Sequence, residues 1–217
     1  MNINICFHGI GVCTNEREPG EAAYWVSEDV FLGILDAARE RPRVRLSFDD
    51  GNRSDVEVAL PALRTRGLDA EFFALAGRLD DPASLNPADL RSLRAAGMRI
   101  GSHGWAHVPW RRMSAGEVRR ELDEARTTLA AASDGEIDTA AFPLGRYDRP
   151  LLGNLKKRGY TTVYSSDRFP ARSESWLQAR YSVTAGDTVE SVRRIMDHTI
   201  GLGDARNVLA SVVKRLR

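Results

Sequence analysis

The sequence predicts an α/β protein built on a parallel sheet. Short apolar runs rich in β-branched and aromatic residues alternate with longer stretches of helical periodicity along all 217 residues, the pattern of strands joined by crossover helices. The helical stretches run to about 10–15 residues, the length a βαβ unit requires. No internal repeat or low-complexity linker interrupts the series, so residues 1–217 are expected to form one domain.

The elements follow in order. INICFHG, residues 3–9, is the first strand, and SEDVFLGILDAARER, 27–41, a helix with Ser27 as N-cap. VRLSF (44–48) is the next strand; SDVEVALPALRTRG (54–67) is a helix capped by Ser54 and stopped by Gly67. AEFFAL (70–75) leads to NPADLRSLRAAG (86–97), with Asn86 as cap, Pro87 at the first helical position and Gly97 past the end. MRIGSH (98–103), a long amphipathic helix over 114–133, TAAFPLG (139–145), a helix over 148–159 and TTVYSS (161–166) continue the alternation. A brief strand from Arg180 and a helix capped by Asp187 follow. Six or seven such units fit either a closed, incomplete α/β barrel or an open doubly wound sheet, and periodicity does not choose between them.

The bulk numbers exclude several classes. A formal charge of +1 gives no general grip on nucleic acid. No apolar run reaches the roughly 20 residues of a membrane span, and MNINICFHGIG lacks the basic and long apolar regions of a secretory signal. A cytoplasmic location is the expectation. Cys6 and Cys13 have neither redox nor zinc-ribbon spacing and read as small residues in or near the first strand. The charged stretch EVRRELDEAR reads as a solvated helix face with i,i+4 ion pairs. The terminal RNVLASVVKRLR is amphipathic and basic; a packed helix with exposed cations is expected, with contact to an anionic membrane as the alternative.

Polar residues collect where predicted strands end: His8, Asp49 and Asp50, His103, Leu144 with Gly145, and Ser165 to Asp167. Sites in barrels and open α/β sheets form at the carboxyl ends of strands, so these clusters predict one convergent site. Adjacent carboxylates at 49 and 50 repel unless a proton or a metal ion is shared. His103 and His107 are four apart, a spacing that sets two imidazoles on one side of a turn. Two imidazoles and a carboxylate make a three-ligand site with open positions, suited to a catalytic divalent metal.

LSFDDG, SHGWAH and FPLG, in this order, resemble the polysaccharide deacetylases with a NodB-homology domain, carbohydrate esterase family 4, from about residue 3 to about residue 167. The resemblance implies a distorted, incomplete (β/α) barrel. It implies Asp50, His103 and His107 as ligands of one divalent ion, zinc first, with cobalt, manganese or nickel as alternatives. It also implies Asp49 as the general base and the backbone N–H of Leu144, after Pro143, as an oxyanion donor.

The sequence departs from the common pattern twice. A late strand-end histidine is missing, since His198 falls inside a helical pattern. His8 ends the first strand, as in a subset resembling a circularly permuted version, and is the expected acid, with His198 as the alternative. The arginine common before the motif proline is also missing; the alternatives are that Arg146 or Arg180 takes its place or that the base is tuned without an arginine. Trp105, Pro143, Arg146 and Asp167 are the candidate substrate contacts; Trp110 is a further candidate stacking wall. The expected activity is N-deacetylation of an acetylated amino sugar in a glycan, glycolipid or glycosylated intermediate, without nucleic-acid partners. Hydrolysis of another C–N bond (a cyclic imide or ureide) and a carbohydrate-binding pseudoenzyme are the alternatives.

Overall fold

The computed structural model describes residues 1–217. Seven parallel strands close into a barrel: β1 (Ile3–Phe7), β4 (Val44–Asp49), β5 (Ala70–Ala74), β6 (Arg99–Ser102), β7 (Thr139–Ala141), β8 (Thr162–Ser165) and β9 (Leu177–Ser182). Each pairs with the next, and β9 returns to β1 with Arg180 opposite Asn4. Two short strands, β2 (Gly9–Ile10) and β3 (Trp25–Val26), form a separate parallel ribbon. Closure, which periodicity left open, comes from this single long-range pairing.

Alternation explains how the barrel holds a site. Phe7, Phe48, Phe72 and Ile100 are cross-strand neighbours, and Phe48 stacks on Phe72 with ring centroids 4.6 Å apart. This ladder belongs to the main apolar core shared with the surrounding helices. The neighbouring register, Cys6, Ser47, Glu71 and Arg99, is polar. The barrel interior is therefore a polar shaft and not the apolar layers usual in eight-stranded barrels.

The helices are α1 (Glu28–Arg39), α2 (Leu60–Arg66), α3 (Pro87–Ala95), α4 (Ala115–Val118), α5 (Ala125–Ser133), α6 (Arg149–Lys157), α7 (Val189–Met196) and α8 (Ala205–Leu216). Ser27 caps α1 by accepting from Val30 N–H, and Asn86 forms a full capping box on α3. Gly67 ends α2 in the left-handed conformation. Two caps differ from expectation. Ser54 does not cap: the chain enters a π-helical turn, Asp55–Ala59, straight from the DDG bend, and the hydroxyl accepts from Ile10 N–H instead. Thr188, not Asp187, caps α7, because the Asp187 carboxylate is engaged by Thr184 and the Ser191 hydroxyl. No helix joins β8 to β9; α7 packs against α1, where a Cβ at Gly33 would meet Val189 Cγ2 at 2.6 Å.

The charged helix is not wholly solvated. Its middle is a π-helical stretch, Arg119–Glu124, that turns Glu121 into the interior. There the carboxylate accepts from Trp105 N–H at 2.8 Å, Ala106 N–H at 3.2 Å and the Trp110 indole at 3.2 Å. A buried carboxylate with three donors is stable, and it shapes the loop after β6. The last helix also differs: its arginines are exposed and Lys214 is half-buried, but Leu209, Val212, Val213 and Leu216 are exposed as well. No helix is long and apolar enough to cross a membrane.

Candidate active site

Asp49 is the last residue of β4, and Asp50 takes φ 74° with Gly51 at φ 64°. Two successive left-handed residues turn the chain so sharply that adjacent carboxylates enter one cleft. A non-glycine residue pays roughly 1–2 kcal/mol for that conformation, so the turn is held by its surroundings. His107 (φ 56°) and Leu144 (φ 56°) are in the same region.

Asp50 Oδ1 lies 3.5 Å from His103 Nε2 and 3.4 Å from His107 Nε2. Their ligand atoms lie within 4.8 Å of one another. Each imidazole is oriented through its other nitrogen: His103 Nδ1 meets the Ala141 carbonyl at 2.9 Å, and His107 Nδ1 meets Glu18 Oε2 at 2.6 Å. Both Nε2 lone pairs are thereby aimed at Asp50, the support that metal-binding histidines characteristically have. Burial pushes His103 down to about 4, which keeps its ring neutral. Burial raises the Asp50 carboxyl, but His8, His103 and His107 outweigh it and hold it below its ordinary value. Asp50 Oδ1 is buried with no hydrogen-bond partner. An orphaned carboxylate oxygen facing two imidazole nitrogens is a donor set that fits a divalent cation.

Asp49 is bound differently. Arg180, completely buried, grips it in a two-pronged pair, Nη1 to Oδ1 at 2.7 Å and Nη2 to Oδ2 at 2.6 Å. Burial raises the Asp49 carboxyl, yet Arg180, aided by His103, holds it well below the usual carboxylate range. Ser47 accepts from Arg180 at 3.0 Å, and Phe73 and Tyr164 flank the guanidinium at 5.3 and 5.6 Å. Of the two candidate arginines, Arg180 is the one that pairs with Asp49, while Arg146 is exposed on the cleft wall.

His8, just beyond β1, lines the same cleft with its ring 4.8 Å from Tyr24 and its Nδ1 buried and unpartnered. His198 is elsewhere: Nε2 meets Asp204 at 2.9 Å, and its carbonyl accepts from Arg43 at the start of β4, the opposite end of the barrel. Leu144 sits on the Pro143–Gly145 turn, and its N–H donates to no backbone carbonyl outside that turn. The cleft, about 320 Å³, is completed by Glu18, Glu21, Arg78, Ser166 and Ser182.

Several candidate contacts lie outside it. Trp105 does not line the cleft; its indole rests on Gly77 and beneath Arg120, 4.2 Å from the ring. Trp110 is fully buried in a second apolar cluster. Asp167 is buried and saturated by Tyr147, Ser165 and Lys214, so it braces a loop. Pro143 is buried and starts the Leu144 turn without facing the cleft.

Sequence reasoning missed Glu18, Glu21, Tyr24 and Arg78. Glu18 belongs to the long β2–β3 loop, which Arg17 anchors through Glu21, Ser84 and Asn52. Its acidic run around a Pro-Gly pair was the only local signal, and nothing in it pointed to His107.

Comparison with known proteins identifies the family. Residues 36–163 match the polysaccharide deacetylase family, and the chain belongs to that family. A Bacillus subtilis (strain 168) protein, YxkH, provisionally named a polysaccharide deacetylase, is 21% identical over 140 residues, 64% of this chain and 50% of its own length. The chain thus spans about half the length of that curated relative. Among solved structures, the Streptococcus pyogenes deacetylase PplD in complex with acetate superposes with TM-score 0.77 at 18% identity, over 90% of this chain and 97% of that one. A de-N-acetylase from Aggregatibacter actinomycetemcomitans gives 0.76 at 13% identity (89% and 99%), and IcaB from Ammonifex degensii 0.73 at 18% (90% and 97%). At these identities the structures establish the (β/α) barrel of the deacetylase type.

Proposed function

We propose that the protein is a metal-dependent hydrolase that removes the acetyl group from an N-acetylated amino sugar, in a glycan, glycolipid or glycosylated intermediate. The observation that carries this reading is the division of labour between neighbouring aspartates: Asp50 faces His103 and His107 with an unpartnered oxygen, and Asp49 is held ionised by Arg180. Asp50, His103 and His107 would hold the cation, zinc first among divalent ions, with His8 outside the ligand set. When bound, such an ion supplies Lewis acidity toward an acyl oxygen and toward water, which suits a base as weak as an arginine-paired carboxylate.

The chain's own groups complete the hydrolysis. Asp49 takes the proton from the attacking water as its oxygen bonds to the acyl carbon. The Leu144 N–H donates to the oxygen that gains charge in the tetrahedral intermediate. As the C–N bond breaks, His8 delivers a proton to the departing nitrogen, leaving acetate and a free amine. Glu18 and the Ala141 carbonyl keep the two ligand imidazoles in the tautomer that presents Nε2.

The test is acetate release from acetylated amino-sugar oligomers, lipids and nucleotide sugars by the zinc-loaded protein. Asp49→Asn should lower turnover by roughly 10²–10⁴-fold while leaving zinc content unchanged. Release from none of them by a folded, loaded protein sinks the reading; turnover of a cyclic imide instead would reassign the bond.

A further inference from the structure

The carboxyl-terminal helix has two unlike faces. Its inner face is polar and committed: Ser211 is buried with its hydroxyl 3.0 Å from that of Tyr147, Lys214 donates to the Gly145 carbonyl at 3.3 Å and to Asp167 at 2.6 Å, and Asn207 donates to the Arg168 carbonyl at 3.0 Å. Its outer face is apolar and uncovered. Leu209 is 64% exposed, Val213 50% and Leu216 70%, and together with Val212 they fall at i, i+3, i+4 and i+7, one continuous stripe. Globular helices place such a stripe against the core; here the polar side faces inward.

The charge is equally one-sided. Ala205 to Arg217 carries Arg206, Lys214, Arg215 and Arg217 and no acidic residue. The three arginines are exposed beside the stripe. A helix that is apolar on one face and basic along its flanks is the pattern of a segment lying in a lipid interface. Two copies meeting through this stripe would bring like charges together, whereas an anionic surface complements them.

Position gives the stripe a purpose. Gly145, Tyr147 and Arg149, which hold the last two turns of α8, follow directly after β7, and Arg149 N–H donates to the Arg217 carbonyl at 2.8 Å. The same turn supplies Leu144, 52% exposed, and Arg146 to the cleft. We propose that α8 docks the cleft-bearing rim of the barrel onto an anionic lipid surface, so that the cleft meets substrates presented there. The docking itself does not depend on the deacetylase reading.

The experiment is sedimentation of the 217-residue chain with vesicles, which involves no turnover and so fails or succeeds separately from the hydrolase assay. Binding is expected to phosphatidylcholine vesicles containing phosphatidylglycerol, and not to phosphatidylcholine alone. The exposed triple variant Leu209→Ser/Val213→Ser/Leu216→Ser should weaken binding by more than about tenfold with unchanged circular dichroism and Tm. Arg215→Gln and Arg217→Gln should each cost about fivefold, and the loss should shrink at high salt. The proposal is overturned by absent binding, by equal binding to neutral vesicles, or by a triple variant that binds like the parent. A dimer that the triple variant dissolves, with vesicles unbound, would assign the stripe to a second copy and also overturn it.

Discussion

The two ends of the barrel bury polar side chains in opposite ways. At the amino end, Asn4 donates to Gln178 and the Ala179 carbonyl, and Gln178 donates in turn to carbonyls of the β8–β9 connection. Glu71 accepts from Thr139 and lies 3.8 Å from Arg99. At the carboxyl end, Asp50 Oδ1 and His8 Nδ1 have no partner. Backbone conformation divides likewise. The amino end uses glycine at three of its four left-handed helix ends, Gly67, Gly97 and Gly159, with Asp134 before β7 as the fourth, whereas the carboxyl end places Asp50, His107 and Leu144 in that region beside its glycines. A saturated polar network stabilises and specifies a fold; unsatisfied groups on strained backbone reserve their interactions for a ligand. The lesson is that burial of polar groups alone does not mark a site; the mark here is that unpartnered groups, Asp50 Oδ1 and His8 Nδ1, converge on one cleft.

The largest expected effect breaks the unsaturated end. Asp50→Asn should abolish cation binding, beyond the roughly 10–100-fold that loss of a supporting residue costs, as measured by chelator competition. Glu18→Gln should fall within that smaller range, because the His107 ring loses its carboxylate orienter but remains in place; affinity unchanged from the parent would remove Glu18 from the support of the site. Arg180→Met tests the buried ion pair that holds Asp49. Leaving Asp49 buried without its cation should cost about 3–5 kcal/mol in thermal or denaturant unfolding and shift the Asp49 carboxyl upward.

Smaller effects test the amino end. Gln178→Ala should cost about 1–2 kcal/mol of stability and leave turnover and cation affinity unaltered; a loss of turnover would show that the polar shaft couples the two ends. Asp55 sharpens the contrast further. It is fully buried, neither oxygen has a partner, and burial together with Asp50 and Asp49 drives its carboxyl well above the ordinary value. With the folded value raised, its protonated form stabilises the protein fully below about pH 4, the unfolded value, and that contribution is lost as pH rises. Asp55→Asn should therefore raise Tm at neutral pH and flatten the decline of stability between acid and neutral pH, read by thermal unfolding of the cation-free protein.

Much of this was legible before folding. Strand and helix positions follow from local periodicity, because each element records in its own residues which face is buried. The DDG bend and the SHGWAH loop could be read because metal chemistry narrows the choice of residue types and their spacing. Less legible were elements whose polar residues turn inward. Glu121 looked like one more charge on a solvated helix, and only the π-helical stretch aims it at the Trp105 and Trp110 backbone and side chain. Trp105 and Trp110 themselves looked like walls of the cleft because they flank its histidines in sequence, yet the loop that carries them folds back onto Gly77 and the second apolar cluster.

By itself, the sequence determined the βα alternation, the polar residues at strand ends and the family motifs, all of them properties of short segments. Tertiary structure decided what depends on distant pairings. Closure rests on β9 meeting β1, which seats Arg180 in the shaft 131 residues away from Asp49 and close enough to grip it. The same closure brings His8 to the rim beside the DDG bend, and the long β2–β3 loop lays Glu18 against His107 across 89 positions. The physical reason is one of range. A residue's burial partner within a turn or strand is encoded a few positions away, whereas ion-pair partners and the outward face of a final helix are set by where the chain finally packs.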